Sequence, residues 1–386
     1  MHISIEQLVQ QIHDSPRRMV VAATGGGSRA IADLLEVPGG SRTLLEAVVP
    51  YSASAMIALL GGKPDEFCSA PTARAMAMAA FHRARRHETS DALPAGVDCT
   101  ASLATDRPKR GPHRVHVAVQ TAATTAAWRL ELQKGRRTRA EEERVAGHLL
   151  LNAMAAACDV PARLEIELLE NERVEQSRVD APVAWQDILL GKVAAVRVCT
   201  GDAGSETASA SPSGEVAPAL VLPGAFNPLH AGHCRMLQVA QELLGGPAAY
   251  ELSIVNADKP PLDYMEIERR LAQFPAGQPV YLSRAATFEE KSRLFPGATF
   301  LVGVDTLLRI AAPKFYGGSA AGCQAAIERI AACGCRFLVF GRCIDERLVK
   351  LGDLDLPESL RALCREVPPE VFREDVSSTV LRKAAM

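Results

Sequence analysis

Residues 201–218 read GDAGSETASASPSGEVAP, a stretch made almost wholly of Gly, Ser, Ala, Thr, Pro and acidic residues. Side chains this small and polar bury too little apolar surface to offset the entropy of ordering them, so no hydrophobic core can run through the stretch. A chain of 386 residues already exceeds what one ordinary core organises. Together these predict two domains, 1–198 and 219–386, joined over 199–218 by a flexible linker or a long surface loop.

Both halves open alike. MVVAATGGGSRAIADLLEV, from Met19, passes from a short apolar strand through three glycines to Ala30, Ile31, Leu34 and Leu35 at helical spacing. ALVLPGAFNPLHAGHCRMLQVAQELL, from Ala219, repeats that order. Further apolar runs follow in AYELSIVNAD, ATFLVGVDTLL and CRFLVFGR, with helical IERRLAQF and GCQAAIERIAA between them. The alternation predicts an α/β fold in two domains, the second a Rossmann-like doubly wound parallel sheet. In the first half, TARAMAMAAFHRARR reads as a helix, RVHVAVQT as a strand, and AEEERVAGHLLLNAMAAACD as a long helix with acidic residues in its first turn. Residues 165–198 carry no functional signal.

Composition narrows the classes. A net charge of −2 implies no large nucleic-acid surface, and no apolar run approaches the roughly 18 residues of a membrane span. The N-terminus lacks a secretory pattern, so the expected compartment is the cytoplasm. The ten cysteines are scattered without CxxC pairs, which predicts buried reduced thiols rather than disulfides or a metal site. HRVH at 113–116 is rejected as a metal site, because residues three apart on a strand face opposite sides.

The chemistry concentrates in PGAFNPLHAGH, residues 223–233. Pro228 keeps the chain out of a helix until Leu229, so the helix starts at about His230 or Ala231. His230 and His233 then share one face of its first turn, where free N–H groups attract an anion, naturally a phosphate. Gly232 opens room for close approach and Asn227 offers a further hydrogen bond; the plainer alternative is two histidines that merely cap a helix. VSSTVLRK, residues 376–383, sets Ser377, Ser378 and Thr379 at a helix start with Arg382 one turn on, a second anion site. Gly303 to Asp305 (GVD) and Lys259 in NADKPP lie where strands end, either facing a ligand or simply solvated.

PGAFNPLHAGH, GVD and SSTVLR in that order resemble the HxGH nucleotidylyltransferase superfamily over residues 219–386, and within it the nicotinamide mononucleotide adenylyltransferases. The resemblance implies attack of an acceptor phosphate on the α-phosphorus of ATP with release of pyrophosphate, the acceptor being nicotinamide or nicotinate mononucleotide. It places His230, His233 and Arg382 on the reacting phosphates, and Ser377, Ser378 and Thr379 on the triphosphate. Gly224, Ala225 and Phe226 would make backbone contacts to ATP, with Mg²⁺ bridging phosphate oxygens. Lys259 would reach a phosphate, and Asp305, behind Gly303, a ribose or base. The family's ring-stacking tryptophan is absent, and Phe315 or Tyr316 in APKFYGG would serve instead. Transfer to another phosphate acceptor such as phosphopantetheine, use of CTP, or a non-catalytic nucleotide sensor are the alternatives.

ATGGGSRAIADLLEVPGGSRTLLEAVVPYS and TASLATDRP in the first half resemble the CinA C-terminal domain, whose active members deamidate nicotinamide mononucleotide. The family's serine falls at Ala22 and its lysine at Met56, neither of which can attack or hold a proton, so deamidation is expected to be absent. Thr24 to Gly27 and Ser28 are left either as a phosphate loop or as a tight turn, and the first half as a ligand sensor, docking module or homo-oligomer contact.

Overall fold

The computed structural model describes residues 3–87, 93–107, 109–199, 217–255, 260–344 and 347–372. The chain forms two compact units, Met1–Gln186 with Asp258–Glu266, and Asp187–Ala257 with Ile267–Met386.

The first unit runs α1 (Ile5–His13), β1 (Arg17–Thr24), α2 (Arg29–Glu36), β2 (Leu44–Val48), α3 (Ala53–Leu60), α4 (Ala70–His87), β3 (Leu93–Ser102), β4 (His113–Thr121), β5 (Thr124–Leu132), α5 (Arg139–Ala157), β6 (Val174–Asp180) and α6 (Val183–Leu190). Its six-stranded sheet has the order β2-β1-β3-β4-β5-β6. It is mixed: β1 is parallel to β2 and β3, and the later pairs are antiparallel. On one face Leu8, Ile12, Ala30, Leu34, Leu150 and Met154 of three helices join the core. The other face carries α4, whose alanines let it lie flush: a Cβ on Gly96 would stand 2.0 Å from Ala77 O. The long helix α5 starts on a capping box, with Thr138 Oγ1 accepting the Glu141 amide and the Glu141 carboxylate accepting the Thr138 amide. Asp263, late in the chain, belongs to this unit, its carboxylate accepting both bonds from Arg74 Nε at 3.1 Å.

The second unit runs β7 (Ala195–Cys199), β8 (Leu220–Pro223), α7 (Ala231–Leu244), β9 (Ala248–Ser253), α8 (Tyr264–Leu271), β10 (Pro279–Ser283), α9 (Phe288–Leu294), β11 (Thr299–Gly303), α10 (Val304–Ile310), α11 (Ala320–Ala332), β12 (Arg336–Phe340), β13 (Arg342–Ile344), β14 (Arg347–Val349), α12 (Glu358–Arg361) and β15 (Cys364–Glu366). Its seven-stranded sheet has the order β15-β12-β11-β8-β9-β10-β7. The central strands are buried on both faces, as a parallel sheet covered by helices requires.

Three features differ from the sequence reading. The boundary near 198 moves to Gln186, because β7 hydrogen-bonds to β10 and belongs to the second sheet. β7 is antiparallel, so the sheet is not parallel throughout; it covers a β10 edge that would otherwise present unpaired backbone groups. All ten cysteines are free, but only Cys99, Cys158, Cys323 and Cys335 are buried; five are half-buried and Cys234, on α7, is exposed.

Candidate nucleotide site

β8 leads rightward in the sheet to β9, whereas β11 lies on the other side of β8. The strand order therefore reverses between β8 and β11, and ligands of open α/β sheets bind beyond the carboxyl ends at such a reversal. The segments that leave those two strands are GAFNPLHAGH and GVD.

After β8 the Gly224 amide donates to Glu251 O at 3.0 Å. Phe226 then turns through φ 46°, a left-handed conformation unusual for an aromatic residue. Its ring is 1% exposed and packs edge-on against His233, Tyr250 and Phe274 at centroid distances of 5.2, 5.4 and 5.2 Å. This fold-back explains the glycine: a Cβ on Gly224 would stand 2.7 Å from that ring.

His230 is the extended N-cap of α7, and Gly232 is buried in its first turn. The rings of His230 and His233 stack at 3.7 Å and 27°. The His230 amide donates to His233 Nδ1 at 3.3 Å, so a neutral His233 carries its proton on Nε2. Burial, reinforced by His230, lowers the His233 pKa to about 4. At pH 7 His233 is thus a neutral donor at a helix N-terminus.

The loop is held from behind by residues the sequence reading missed. Arg269 donates to Asn227 Oδ1 at 2.6 Å. Arg270 Nη1 donates to Ala225 O at 2.8 Å, and Gln273 bonds Phe226 O and the Leu229 amide. The sequence marks IERRLAQF only as helical, and only its spatial position reveals these bonds.

Gly303 caps α10, and Asp305 turns back so closely that a Cβ on Gly303 would meet its Oδ1 at 2.7 Å. Asp305 is not a bare strand end: Arg342 Nη1 pairs with it at 2.8 Å. Tyr316 packs against the core of the unit, with burial raising its hydroxyl pKa to about 12. The Phe315 ring has Arg309 and Lys314 within 5.4 and 4.7 Å of its centroid. Lys259, Ser377, Ser378, Thr379 and Arg382 lie outside the described residues. Among the described residues no group of three or more His, Cys, Asp or Glu could hold a metal ion, and no helix is long and apolar enough to cross a membrane.

In the first unit, Ala22 and Met56 are buried in an apolar cluster with Leu60 and Met76. The start of α2, next to the expected phosphate loop, is met by a carboxylate of the same unit. Glu143 Oε1 accepts from Ser28 Oγ at 3.0 Å and from the Arg29 amide at 3.1 Å. The two histidines of HRVH do diverge: His113 bonds Glu142 of α5 at 2.6 Å, while His116 shares the face of Ala118, which packs on α4.

No protein-family model and no curated protein matches the chain. Solved structures similar to it include the competence/damage inducible protein CihA from Agrobacterium tumefaciens, 22% identical over 41% of this chain and 98% of that one, at TM-score 0.33. A competence-damaged protein (CinA) superfamily member from Escherichia coli is 16% identical over 40% of this chain and 90% of its own, at TM-score 0.31. A competence or damage-inducible protein from Enterobacter asburiae is 16% identical over 40% of this chain and 99% of its own, at TM-score 0.34.

Proposed function

We propose that the chain is a nucleotidylyltransferase that joins the adenylyl group of ATP to a phosphate-bearing acceptor, a pyridine mononucleotide, and releases pyrophosphate. The observation that carries this reading is the stacked pair His230 and His233 at the N-terminus of α7, beside the reversal of strand order. An acceptor phosphate oxygen forms a bond to the α-phosphorus of ATP as the bond to the bridging pyrophosphate oxygen breaks. The electron pair of that bond leaves with pyrophosphate. No covalent enzyme intermediate is needed, so the protein's task is to align the two phosphates and stabilise the charge that builds between them. A neutral His233 donates from Nε2 to a phosphate oxygen, and the ring of His230 stacked on it fixes its direction.

Mg²⁺ would neutralise phosphate charge when bound. The described residues offer it no cluster of protein ligands, so the triphosphate oxygens would carry it. Phe315 is the aromatic face best suited to the acceptor's ring, and the cations of Arg309 and Lys314 beside it favour nicotinate, whose carboxylate they attract, over nicotinamide.

The test is pyrophosphate release from a panel of nucleoside triphosphates and phosphate acceptors with Mg²⁺. ATP with nicotinate mononucleotide is expected to be the best pair. His233→Ala is expected to lower turnover by about 10² or more with little change in ATP affinity, as loss of a donor to transition-state charge requires. An unchanged turnover, or no release from any pair, refutes the reading.

A further inference from the structure

We propose that Arg270 and Gln273 are positioning residues that aim the backbone amides of Phe226 and Asn227 at the anionic oxygens of the nucleoside triphosphate. The inference rests on the transfer reading above. Arg270 Nη1 donates to Ala225 O at 2.8 Å and Gln273 Nε2 donates to Phe226 O at 3.1 Å. These are consecutive carbonyls. Across a trans peptide the C=O and the following N–H point to opposite sides, and the one cis peptide among the described residues comes later, at Asn227-Pro228. Holding both carbonyls toward Arg270 and Gln273 therefore turns the Phe226 and Asn227 N–H groups the other way. Among the described residues the Phe226 amide meets no acceptor.

Two further observations make this an arrangement for an anion rather than ordinary loop packing. Arg270 is only 9% exposed, so a group that is costly to bury stands directly behind the loop and fixes its carbonyl. Gln273 also accepts the Leu229 amide at 2.9 Å through Oε1. One side chain thus grips both ends of the turn that leads to His230. With Phe226 held at φ 46° by its buried ring, the loop has no freedom to swing the amides away.

The test uses the full chain and the best substrate pair of the panel. Gln273→Glu keeps the size and the acceptor for Leu229 but sets an oxygen against Phe226 O. It is expected to raise the KM for ATP about 10- to 100-fold, the loss of a charge-assisted hydrogen bond, while the acceptor KM and the thermal midpoint stay unchanged. Arg270→Met is expected to act alike, and Arg270→Lys, which keeps a donor, to recover much of the ATP KM. An unchanged ATP KM, or equal rises in both KM values, overturns the positioning role while leaving nucleotidylyl transfer standing. No pyrophosphate from the unaltered protein overturns the transfer reading and this inference with it.

Discussion

Asp98 and His116 lie on one face of the β3–β4 pair, in the register Asp98 opposite Ala118 and Thr100 opposite His116. Asp98 is 0% exposed and neither carboxyl oxygen meets a donor; His116 is 4% exposed and neither ring nitrogen is bonded. Burial pushes the Asp98 carboxyl well above the usual range, and burial lowers His116 to about 4. His116 is therefore neutral in the folded protein at pH 7, and burial favours the neutral form of Asp98. For Asp98 the raised folded pKa means that stability is lost as pH climbs above about 4. For His116 the depressed pKa means that stability is present above 6.5 and lost as pH falls toward 4. Asp98→Asn removes the first effect alone. The stability of the variant relative to the parent is expected to grow as pH rises above about 4, read as a thermal midpoint of the first unit that pulls ahead with rising pH. A constant offset would show that Asp98 is already paired. Sequence offers no sign of this site, because a lone Asp in GVDCT looks like any strand residue until its neighbours on the sheet are known.

At the level of elements, β9, β10 and α9 are tied by one buried ion pair. Glu251 and Lys291 are 0% and 6% exposed, and Lys291 Nζ reaches both carboxylate oxygens at 2.8 and 2.7 Å and Ala285 O at 2.9 Å. Ser283 also donates to Glu251. Breaking such a pair leaves a buried charge without its partner, which costs about 3–5 kcal/mol, more than the pair itself contributes. Lys291→Met is expected to lower the unfolding free energy of the second unit by that amount in denaturant titration, and Glu251→Gln added to it to recover most of the loss. Additive losses would show that the two do not act as a pair. Because Glu251 O also accepts the Gly224 amide, slackening here would reach the histidine loop. Strands and helices of this unit were legible from their period, yet this link was not: its members sit 40 residues apart and meet only when the sheet closes.

Across the whole molecule, the positions in the first unit where the sequence resemblance expects a serine and a lysine are filled by packing residues. Ala22 is 0% exposed and Met56 4%, both inside an apolar cluster, while Glu143 takes the donors at the start of α2. The full chain is expected to release no ammonia from nicotinamide mononucleotide above a buffer control. Measurable release would mean that other residues have taken over the attack.

Local spacing determined a great deal. The alternation of apolar runs set the α/β class, and Pro228 with the three-residue spacing of His230 and His233 determined that the two rings share a helix start, since each follows from near neighbours along the chain; the poverty of residues 201–218 did not mark the boundary, which falls at Gln186. What only the tertiary structure decided involves partners distant in sequence. Placing β7 at the edge of the second sheet depended on which strand lacked a neighbour. Glu143 reached the start of α2 across more than a hundred residues, and Arg270 and Gln273 came under the histidine loop from the end of α8 and the turn after it. A hydrogen bond has no periodicity to leave in the sequence; its donor and acceptor become a pair only when packing has brought them within about 3 Å.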